Sequence, residues 1–312
     1  MNDPSLQVVL QRCVAYEKDA VAALVEAALV RLGRSGGLHG QIVLLKPNLI
    51  SSSGPLLACT HPQFIAGVAA CFLDHGARLF LGDSPALGSA AKVCEKQGIS
   101  QTLKGMNVKI IDFSTPLQKR LAGGLTVTLA REALECDLFV GLPKVKAHNQ
   151  LYVTLAVKNV FGIVKGVGKA MLHMVHGATH GEFAEIILDL QDLLPPQMHF
   201  ADCIVAMHKS GPLDGEPLPL YCIAAANSAV AMDTALLTAL ELDPWRSPLW
   251  QVAATRRLVG SDPASIDYPG LLPADFHGSG FLPPLGLSPI RFSSWQFIRG
   301  LMQRAMLKRR IY

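Results

Sequence analysis

The sequence has few charged residues and a net charge too small to indicate a nucleic-acid-binding protein. Asp, Glu, Lys and Arg together make up 17% of the 312 residues, apolar residues make up 50%, and the net charge is +4. An uncharged stretch at 54–73 is interrupted by Pro62, and its helical part is short of the ~20 residues that span a bilayer. The composition excludes a disordered chain and predicts a large buried core.

Paired cysteines are also absent. The seven cysteines are scattered, and none belongs to a Cys-x-x-Cys pair. This excludes an iron–sulfur motif or a zinc ribbon within this chain. The first residues, MNDPSLQ, do not resemble a secretory signal. The odd cysteine count therefore indicates reduced thiols, and we expect a cytoplasmic location.

Short apolar segments alternate with amphipathic ones along most of the chain. Strands rich in Val, Ile and Leu that alternate with helices predict an α/β fold, with a mainly parallel sheet and helices on both faces. The predicted strands are 7–13, 41–49, 77–85, 108–114, 137–144, 199–207 and 219–226, with a two-stranded excursion at 121–132. The predicted helices are 17–33, 62–76, one starting near 89, 151–164, 181–193, 229–242 and 248–260.

Three regions of different composition predict the domain organisation. Residues 1–268 form the α/β domain, with a division into two lobes near 195–220 as an alternative to a single unit. Residues 269–289 are rich in Pro and Gly and predict an irregular connection. Residues 290–312 predict a basic amphipathic helix, of which 293–312 would either make weak contact with an anionic membrane surface or pack on the domain.

Compact polar sets follow three of the predicted strands. In an open α/β sheet, ligands bind outside the carboxyl ends of the strands, so these sets would converge on one crevice. The alternatives without a ligand are that the first set consists of ordinary loop residues, that the second caps the following helix, and that the lysines of the third extend to solvent. The three sets are Lys46 with Asn48, Asp83 with Ser84, and Lys144 with Lys146 and His148.

Lys158 and Asn159 lie in an apolar segment that we predict to be helical. A buried lysine lowers its pKa, finds a counter-ion, or holds a ligand or cofactor, and Asp83 is a candidate partner. The alternative is a stripe of the helix exposed to solvent. Asp233 has two interpretations as well: a carboxylate in the first turn of its own helix, or a carboxylate of the site.

Histidines are spaced three and four residues apart in a glycine-containing segment at 165–181. His173 and His176, with His180, would share one face of a helix and could bind a divalent metal. The alternative is a loop over the crevice with glycine hinges, in which the histidines are not ligands. The sequence leaves the cofactor open between these interpretations.

These pieces, in this order, resemble the family of domain of unknown function 362. The segments that carry the resemblance are KPNL (46–49), THP (60–62), GDSP (82–85), LPKVKAH (142–148), TLAVKNVFG (154–162), GPLDGEP (211–217) and AVAMD (229–233). Members of that family often carry, or are coupled to, a ferredoxin-like domain. This chain has no such cysteine motif, so the resemblance implies a separate ferredoxin-like partner. His208 stands where the family often has an acidic residue.

A fainter resemblance is to the lactate racemase family, which carries a nickel-pincer cofactor on a lysine. The family pattern is similar to the ten-residue spacing of His148 and Lys158. Its upstream Gly-Asp motif leads to a catalytic histidine, and GDSP has none. The resemblance therefore implies a shared scaffold rather than two-base racemisation.

Together these observations favour an enzyme that binds a small carboxylate or phosphate and carries out redox or isomerase chemistry on an organic acid. Lys46, Lys144 and Lys146 would hold the anion, with Asn48, Ser84 and Asn159 completing the binding set. His148 would be a general acid or base, Lys158 would anchor a cofactor or stabilise negative charge, and Asp83 would orient a cation. The alternative is a non-catalytic accessory of an iron–sulfur protein.

Overall fold

The computed structural model of the chain describes residues 6–85, 88–165 and 179–290. Strands of the described residues form one large sheet in the order β1-β11-β10-β7-β2-β3-β4, with β8 beside β10 and β9 beside β8. Its strands are β1 (Val8–Arg12), β2 (Ile42–Pro47), β3 (Arg78–Asp83), β4 (Val108–Asp112), β7 (Leu138–Leu142), β8 (Lys144–His148), β9 (Tyr152–Thr154), β10 (Gln197–His208) and β11 (Glu216–Ala226). A separate hairpin pairs β5 (Pro116–Arg120) with β6 (Thr126–Ala130).

The sheet is mainly parallel, as the sequence predicts. The parallel pairs are β4 with β3, β3 with β2, β2 with β7, β7 with β10 and β8 with β10. The antiparallel pairs are β1 with β11, β10 with β11, and β8 with β9. The mixed character comes from β10 and β11, which are long and joined directly, as antiparallel neighbours can be.

Helices cover both faces of the sheet because its central strands are apolar on both sides. Val43 and Leu45 of β2 pack into one hydrophobic cluster, and Leu44 between them packs into another. The helices of the described residues are α1 (Lys18–Arg31), α2 (Pro62–Asp74), α3 (Ala90–Lys96), α4 (Ile99–Thr102), α5 (Arg131–Leu134), α6 (Ala156–Val160), α7 (His180–Asp189), α8 (Ala229–Ala239) and α9 (Pro248–Thr255). Helices α1 to α3 border one cluster, and α6 to α9 border the other.

Two predicted elements around residue 150 are wrong. The predicted helix 151–164 is instead β9 followed by the short helix α6 and a 3-10 turn, Phe161–Ile163. A short apolar run cannot distinguish a buried helix from a buried strand by periodicity. The predicted strand 137–144 divides at Pro143, which has no N–H to donate to a strand ladder, and β8 begins at Lys144.

The strand order reverses between β2 and β7. From β2 the chain proceeds outward through β3 to β4, whereas β7 lies on the other side of β2 and leads to β10. Such a switch point opens a crevice outside the carboxyl ends of the two strands, where ligands of open α/β sheets bind. Lys46 pairs with Gly141, and Pro47 with Leu142, at this position.

None of the helices in the described residues combines the length and apolar character needed to cross a membrane. The division into lobes near 195–220 stays a prediction, as do the limits of the C-terminal regions.

Candidate functional site

Lys46 lies at the carboxyl end of β2 and is 1% exposed. Its ammonium forms an ion pair with Asp83 Oδ1 at 2.9 Å. It also donates hydrogen bonds to Pro47 O at 2.8 Å and to Asn159 Oδ1 at 3.0 Å. The three N–H bonds of the ammonium therefore have three acceptors. Burial lowers the pKa of Lys46, and the charge of Asp83 acts in the opposite direction.

The partner carboxylate, Asp83, is held by backbone groups as well. Its Oδ2 accepts from the N–H of Leu49 at 2.9 Å, and its Oδ1 accepts from the N–H of Ser84 at 2.8 Å. Gly162 covers the pair: a Cβ there would lie 2.2 Å from Lys46 Cε and 2.3 Å from Asp83 Oδ1. Only glycine fits at this position without displacing the ion pair.

A chain of side-chain amides connects Lys46 to Lys146. Asn159 donates to Lys46 O at 3.1 Å, and its Oδ1 accepts from Asn48 Nδ2 at 3.3 Å. Lys146 Nζ in turn donates to Asn48 Oδ1 and to Ala58 O, both at 2.6 Å. Residues from β2, β8, α6 and the 3-10 turn Leu56–Ala58 thus form one network at the switch point.

Lys146 differs from the other buried lysines because its acceptors are neutral. It is 1% exposed, and no carboxylate among the described residues forms an ion pair with it. Burial, together with the positive charges of Lys158, Lys144 and Lys46, lowers the pKa of its amine to about 7. An amine with that pKa is present in both protonation states near neutral pH, which suits either anion binding or proton transfer.

Lys144 belongs to a second polar group next to the first. Its Nζ lies 2.9 Å from Asp202 Oδ2 and donates to Tyr16 OH at 2.8 Å. Tyr16 OH donates to Asp202 Oδ1 at 2.7 Å. The ring of His61 stacks on that of Tyr16 at 3.7 Å, and its backbone N–H donates to Asp202 Oδ2 at 3.0 Å. Burial and the nearby Asp202 raise the pKa of Tyr16.

Sequence reasoning missed Tyr16, His61 and Asp202 as members of the site. Asp202 gave a usable signal, because a carboxylate in the middle of the apolar strand β10 needs a buried partner. Tyr16 gave no such signal, because its contact with Asp202 depends on the strand order β1-β11-β10, which the sequence does not show.

The comparisons with known proteins identify the family of this chain. The family described as Domain of unknown function (DUF362) matches residues 43–238, a range that contains Lys46, Asp83, Lys146 and Asn159. The thylakoid-associated protein sll1697 of Synechocystis sp. is 32% identical over 307 residues, which cover 96% of this chain and 95% of that protein. The chain belongs to the DUF362 family.

Solved structures also resemble this DUF362 protein. The lactate racemase apoprotein from Thermoanaerobacterium thermosaccharolyticum is 10% identical, with a TM-score of 0.48, over 73% of this chain and 56% of that one. A protein from Thermotoga maritima is 12% identical, with a TM-score of 0.42, over 68% of this chain and 55% of that one. This DUF362 chain therefore spans about half the length of the solved structures it matches.

The DUF362 strand β8 carries its polar residues on one face. Lys144, Lys146 and His148 alternate with Val145 and Ala147, which pack in the hydrophobic cluster beneath α6 to α9. Both lysines are almost fully buried, so the alternative in which they extend to solvent is wrong. The Nδ1 atom of His148 accepts from the N–H groups of Gln150 and Leu151, both at 3.2 Å. In the neutral ring this places the proton on Nε2.

Lys158 lies on α6 and is partly buried. Its ammonium stands 4.5 Å from the ring centre of Phe161, and its charge is close enough to lower the pKa of Lys146. Asp83, proposed from the sequence as its counter-ion, forms an ion pair with Lys46. Lys158 thus belongs to the same electrostatic environment as the buried network.

Asp233 belongs to α8 but caps α6, so its interpretation as a first-turn carboxylate of its own helix is wrong. Its Oδ1 accepts from the N–H groups of Ala156 at 2.7 Å and Val157 at 3.3 Å. Burial raises the pKa of Asp233 to about 8, and these two hydrogen bonds only partly oppose the shift. A carboxyl group with a raised pKa therefore fixes the start of the helix that carries Lys158 and Asn159.

The remaining predicted residues have simpler outcomes. Ser84 does not cap the following helix, because Ser89 Oγ accepts from Lys92 N at the start of α3. Instead the backbone N–H of Ser84 donates to Asp83 Oδ1 and also to Gly162 O, the latter at 3.3 Å. His173 and His176 lie outside the described residues, and their metal-binding role stays a prediction.

Proposed function

We propose that this DUF362 protein is an enzyme that binds a small organic anion at the carboxyl ends of β2 and β7. The ligand would carry a carboxylate or a phosphate, and the chemistry would be a redox or isomerase reaction on an organic acid. The shape of the sheet supports the location, because the strand order reverses there. The buried lysines support a negatively charged ligand, because their ammonium groups carry positive charge at this position.

The observation that carries the proposal is the unequal pairing of these lysines. Lys46 has Asp83 and Lys144 has Asp202, whereas Lys146 has two neutral acceptors. A neutral amine has two N–H bonds, which those two acceptors satisfy. A protonated amine has a third N–H, for which the described residues show no acceptor. A ligand oxygen would satisfy that third N–H and supply negative charge.

The roles of the other residues follow from where they lie. Lys158 is partly buried and near Lys146, so it would contact the ligand or a cofactor from the side of α6. His148 would act as a hydrogen-bond donor through its Nε2–H, because its Nδ1 already accepts two backbone hydrogen bonds. A general acid or base role would first require those two hydrogen bonds to break. Lys46 and Lys144 each have a carboxylate partner, so they would position the polar groups around Lys146 and not bind the anion themselves.

This function predicts that anion binding weakens as pH rises above 7. The pKa of Lys146 is about 7 in the free protein, and a bound anion would raise it. Above pH 7 the neutral amine must therefore take up a proton when the anion binds. We expect the affinity for sulfate and L-lactate, which keep their charge over this range, to fall up to tenfold per pH unit between pH 7 and 9. Isothermal titration calorimetry in buffers of different ionisation enthalpy measures both affinity and proton uptake.

The controls for this experiment are two lysine variants. Lys146→Met keeps an unbranched side chain of similar length but removes the charge. We expect this variant to bind the anion more weakly, with an affinity that does not depend on pH between 7 and 9. Lys209→Met removes an exposed lysine paired with Glu216 and should behave like the wild type. A Lys146→Met variant with unchanged affinity and unchanged pH dependence would contradict the proposal. Lys158→Ala and His148→Ala should both lose ligand affinity or turnover.

The alternative function, an accessory of a separate ferredoxin-like protein, stays a prediction. It differs from the enzyme in expecting no turnover by the isolated chain with any organic acid. Co-purification of an iron–sulfur protein, with no effect of Lys146→Met on anion binding, would favour it.

We also propose a location at a membrane surface. The relative from Synechocystis is named as thylakoid-associated, and residues 293–312 of this chain contain five Lys and Arg residues, no acidic residue and several large apolar ones. Each basic residue near an anionic surface contributes about 1 kcal/mol. Such a segment, if helical, would bind in the plane of the lipid headgroups.

Deleting 293–312 tests this location. We expect the full chain to float with vesicles containing phosphatidylglycerol and to remain unbound with pure phosphatidylcholine vesicles. The truncated protein should lose flotation on the anionic vesicles. Equal flotation of the full and truncated proteins would end the proposal, and anion binding at Lys146 serves as the check that the truncated chain is folded.

A further inference from the structure

A second group of chemically active side chains lies on the helical layer formed by α1 and α2. Glu26 is on α1, and Cys71 and His75 are at the end of α2. One ligand atom from each of the three lies within 4.8 Å of the others. No other group of three such side chains meets in the described ranges. The ten residues from His61 to Cys71 span about 15 Å of helix, so this group is remote from the lysine network.

The local sequence explains why the three side chains converge. Cys71 and His75 are four residues apart, and the His75 N–H donates to Cys71 O, so both side chains point to the same side of α2. Helix α1 packs against α2 there and supplies Glu26 from the middle of its length. The three ligands therefore come from two helices that the core fixes against each other.

The thiol of Cys71 and the imidazole of His75 both meet one carboxylate oxygen of Glu26. His75 Nε2 lies 2.6 Å from Glu26 Oε2, and the Cys71 thiol donates to that same oxygen at 3.4 Å. Zinc with N and O bonds of about 2.0 Å and an S bond of about 2.3 Å, at tetrahedral angles, separates N and O by about 3.3 Å and S and O by about 3.5 Å. The sulfur and oxygen already stand near that separation, whereas the nitrogen and oxygen would need to move apart by about 0.7 Å.

The environment suits a metal with one open position. Cys71 is 3% exposed, while the side chains of His75 and Glu26 are 21% and 45% exposed. The sulfur is thus protected, and the side of the carboxylate and imidazole is open to solvent. Cysteine, histidine and carboxylate ligands with one position left for water are typical of zinc sites that are not purely structural.

We infer that Glu26, Cys71 and His75 form a binding site for a transition-metal ion of the zinc class, independent of the anion site. Binding replaces the thiol proton by a metal–sulfur bond and releases that proton to solvent. His75 binds through Nε2 with its ring proton on Nδ1, and Glu26 provides one carboxylate oxygen. Water fills the fourth position.

Cobalt(II) added to the metal-free full-length protein tests the site, because thiolate ligation gives a charge-transfer absorption that imidazole and carboxylate ligands do not. We expect this band in the wild type and its loss in Cys71→Ser, which keeps a hydroxyl beside Glu26. His75→Gln should weaken cobalt and zinc binding by more than about 10-fold, since even changes outside the ligands cost 10–100-fold. Zinc should compete the band away and protect Cys71 from alkylation, located by peptide mass spectrometry.

The matched control is Cys136→Ser, a buried thiol that donates to Ala133 O and lies near none of these ligands. It should keep the wild-type band. Metal binding at His173 and His176, which stays a prediction, would not involve sulfur, so cobalt binding without the charge-transfer band does not count as support. A band of equal intensity in Cys71→Ser, or no band in the wild type, would overturn the inference.

Discussion

Replacing Asp83 with Asn is expected to lower the free energy of unfolding by about 3–5 kcal/mol. The substitution leaves the ammonium of Lys46, which is 1% exposed, without its counter-ion. Asn keeps one carbonyl oxygen, which can accept the N–H of Leu49 but not also that of Ser84, so the loss combines the missing charge with one weaker backbone contact. Urea denaturation with a common slope for all variants measures the difference.

The loss should also depend on pH. Burial already lowers the pKa of Lys46 from 10.5, and removing Asp83 lowers it further. Below the lowered pKa the amine is charged in both the native and the unfolded state, so the full cost of burying that charge applies and the penalty is largest there. As pH rises from that value toward 10.5 the amine becomes neutral in both states, and the penalty shrinks.

Two further variants decide the interpretation. The double variant Asp83→Asn with Lys46→Met removes both charges and should recover most of the lost stability. Glu216→Gln breaks the exposed ion pair between Glu216 and Lys209, which is of similar length at 2.6 Å, and should change stability very little because solvent screens the pair. If Asp83→Asn costs no more than Glu216→Gln, the buried pair does not have the role assigned to it.

The second large effect concerns Asp233 and the pH dependence of stability. Burial raises the pKa of its carboxyl group to about 8, against 3.8 in an ordinary environment. Between these values the native state holds a proton that the unfolded chain has released, so this group's contribution is complete below pH 4. It is lost progressively as pH rises to 8, by up to about 1.4 kcal/mol per pH unit.

Asp233→Asn should remove this dependence, because Asn is neutral at every pH and can still accept the N–H of Ala156. Relative to the wild type, the variant is expected to gain stability from pH 4 to 8, by several kcal/mol in total, and to gain no more above pH 8. Asp262→Asn is the control, since Asp262 is an exposed carboxylate that also accepts a backbone N–H, from Ala264. A difference between Asp233→Asn and wild type that stays constant with pH would contradict the assignment.

Most of the fold could be predicted because its signals are local. The apolar strands β2, β3 and β7 and the helices between them are short repeated patterns, and their alternation indicates a parallel sheet. The segment 151–164 was mispredicted because the cap on α6 comes from Asp233, which is distant in the sequence. No pattern within the segment itself indicates that cap.

The sequence predicted where the residues of the candidate site lie, but not which of them pair with each other. The rule that ligands bind at strand ends brought Lys46, Asn48, Asp83 and Lys146 together, and the structure connects them by hydrogen bonds. Which lysine has a carboxylate and which has not depends on the order of the strands. For that reason the sequence treated Lys46, Lys144 and Lys146 alike, and the structure does not.

The alternation along β8 constrains how this part of the chain can vary. Lys144, Lys146 and His148 share one face, and Val145 and Ala147 share the other. Removing or inserting a single residue within β8 would direct every later cationic side chain of the strand into the hydrophobic cluster on the opposite face. Relatives that keep this arrangement are free to lengthen or shorten the strand only in steps of two.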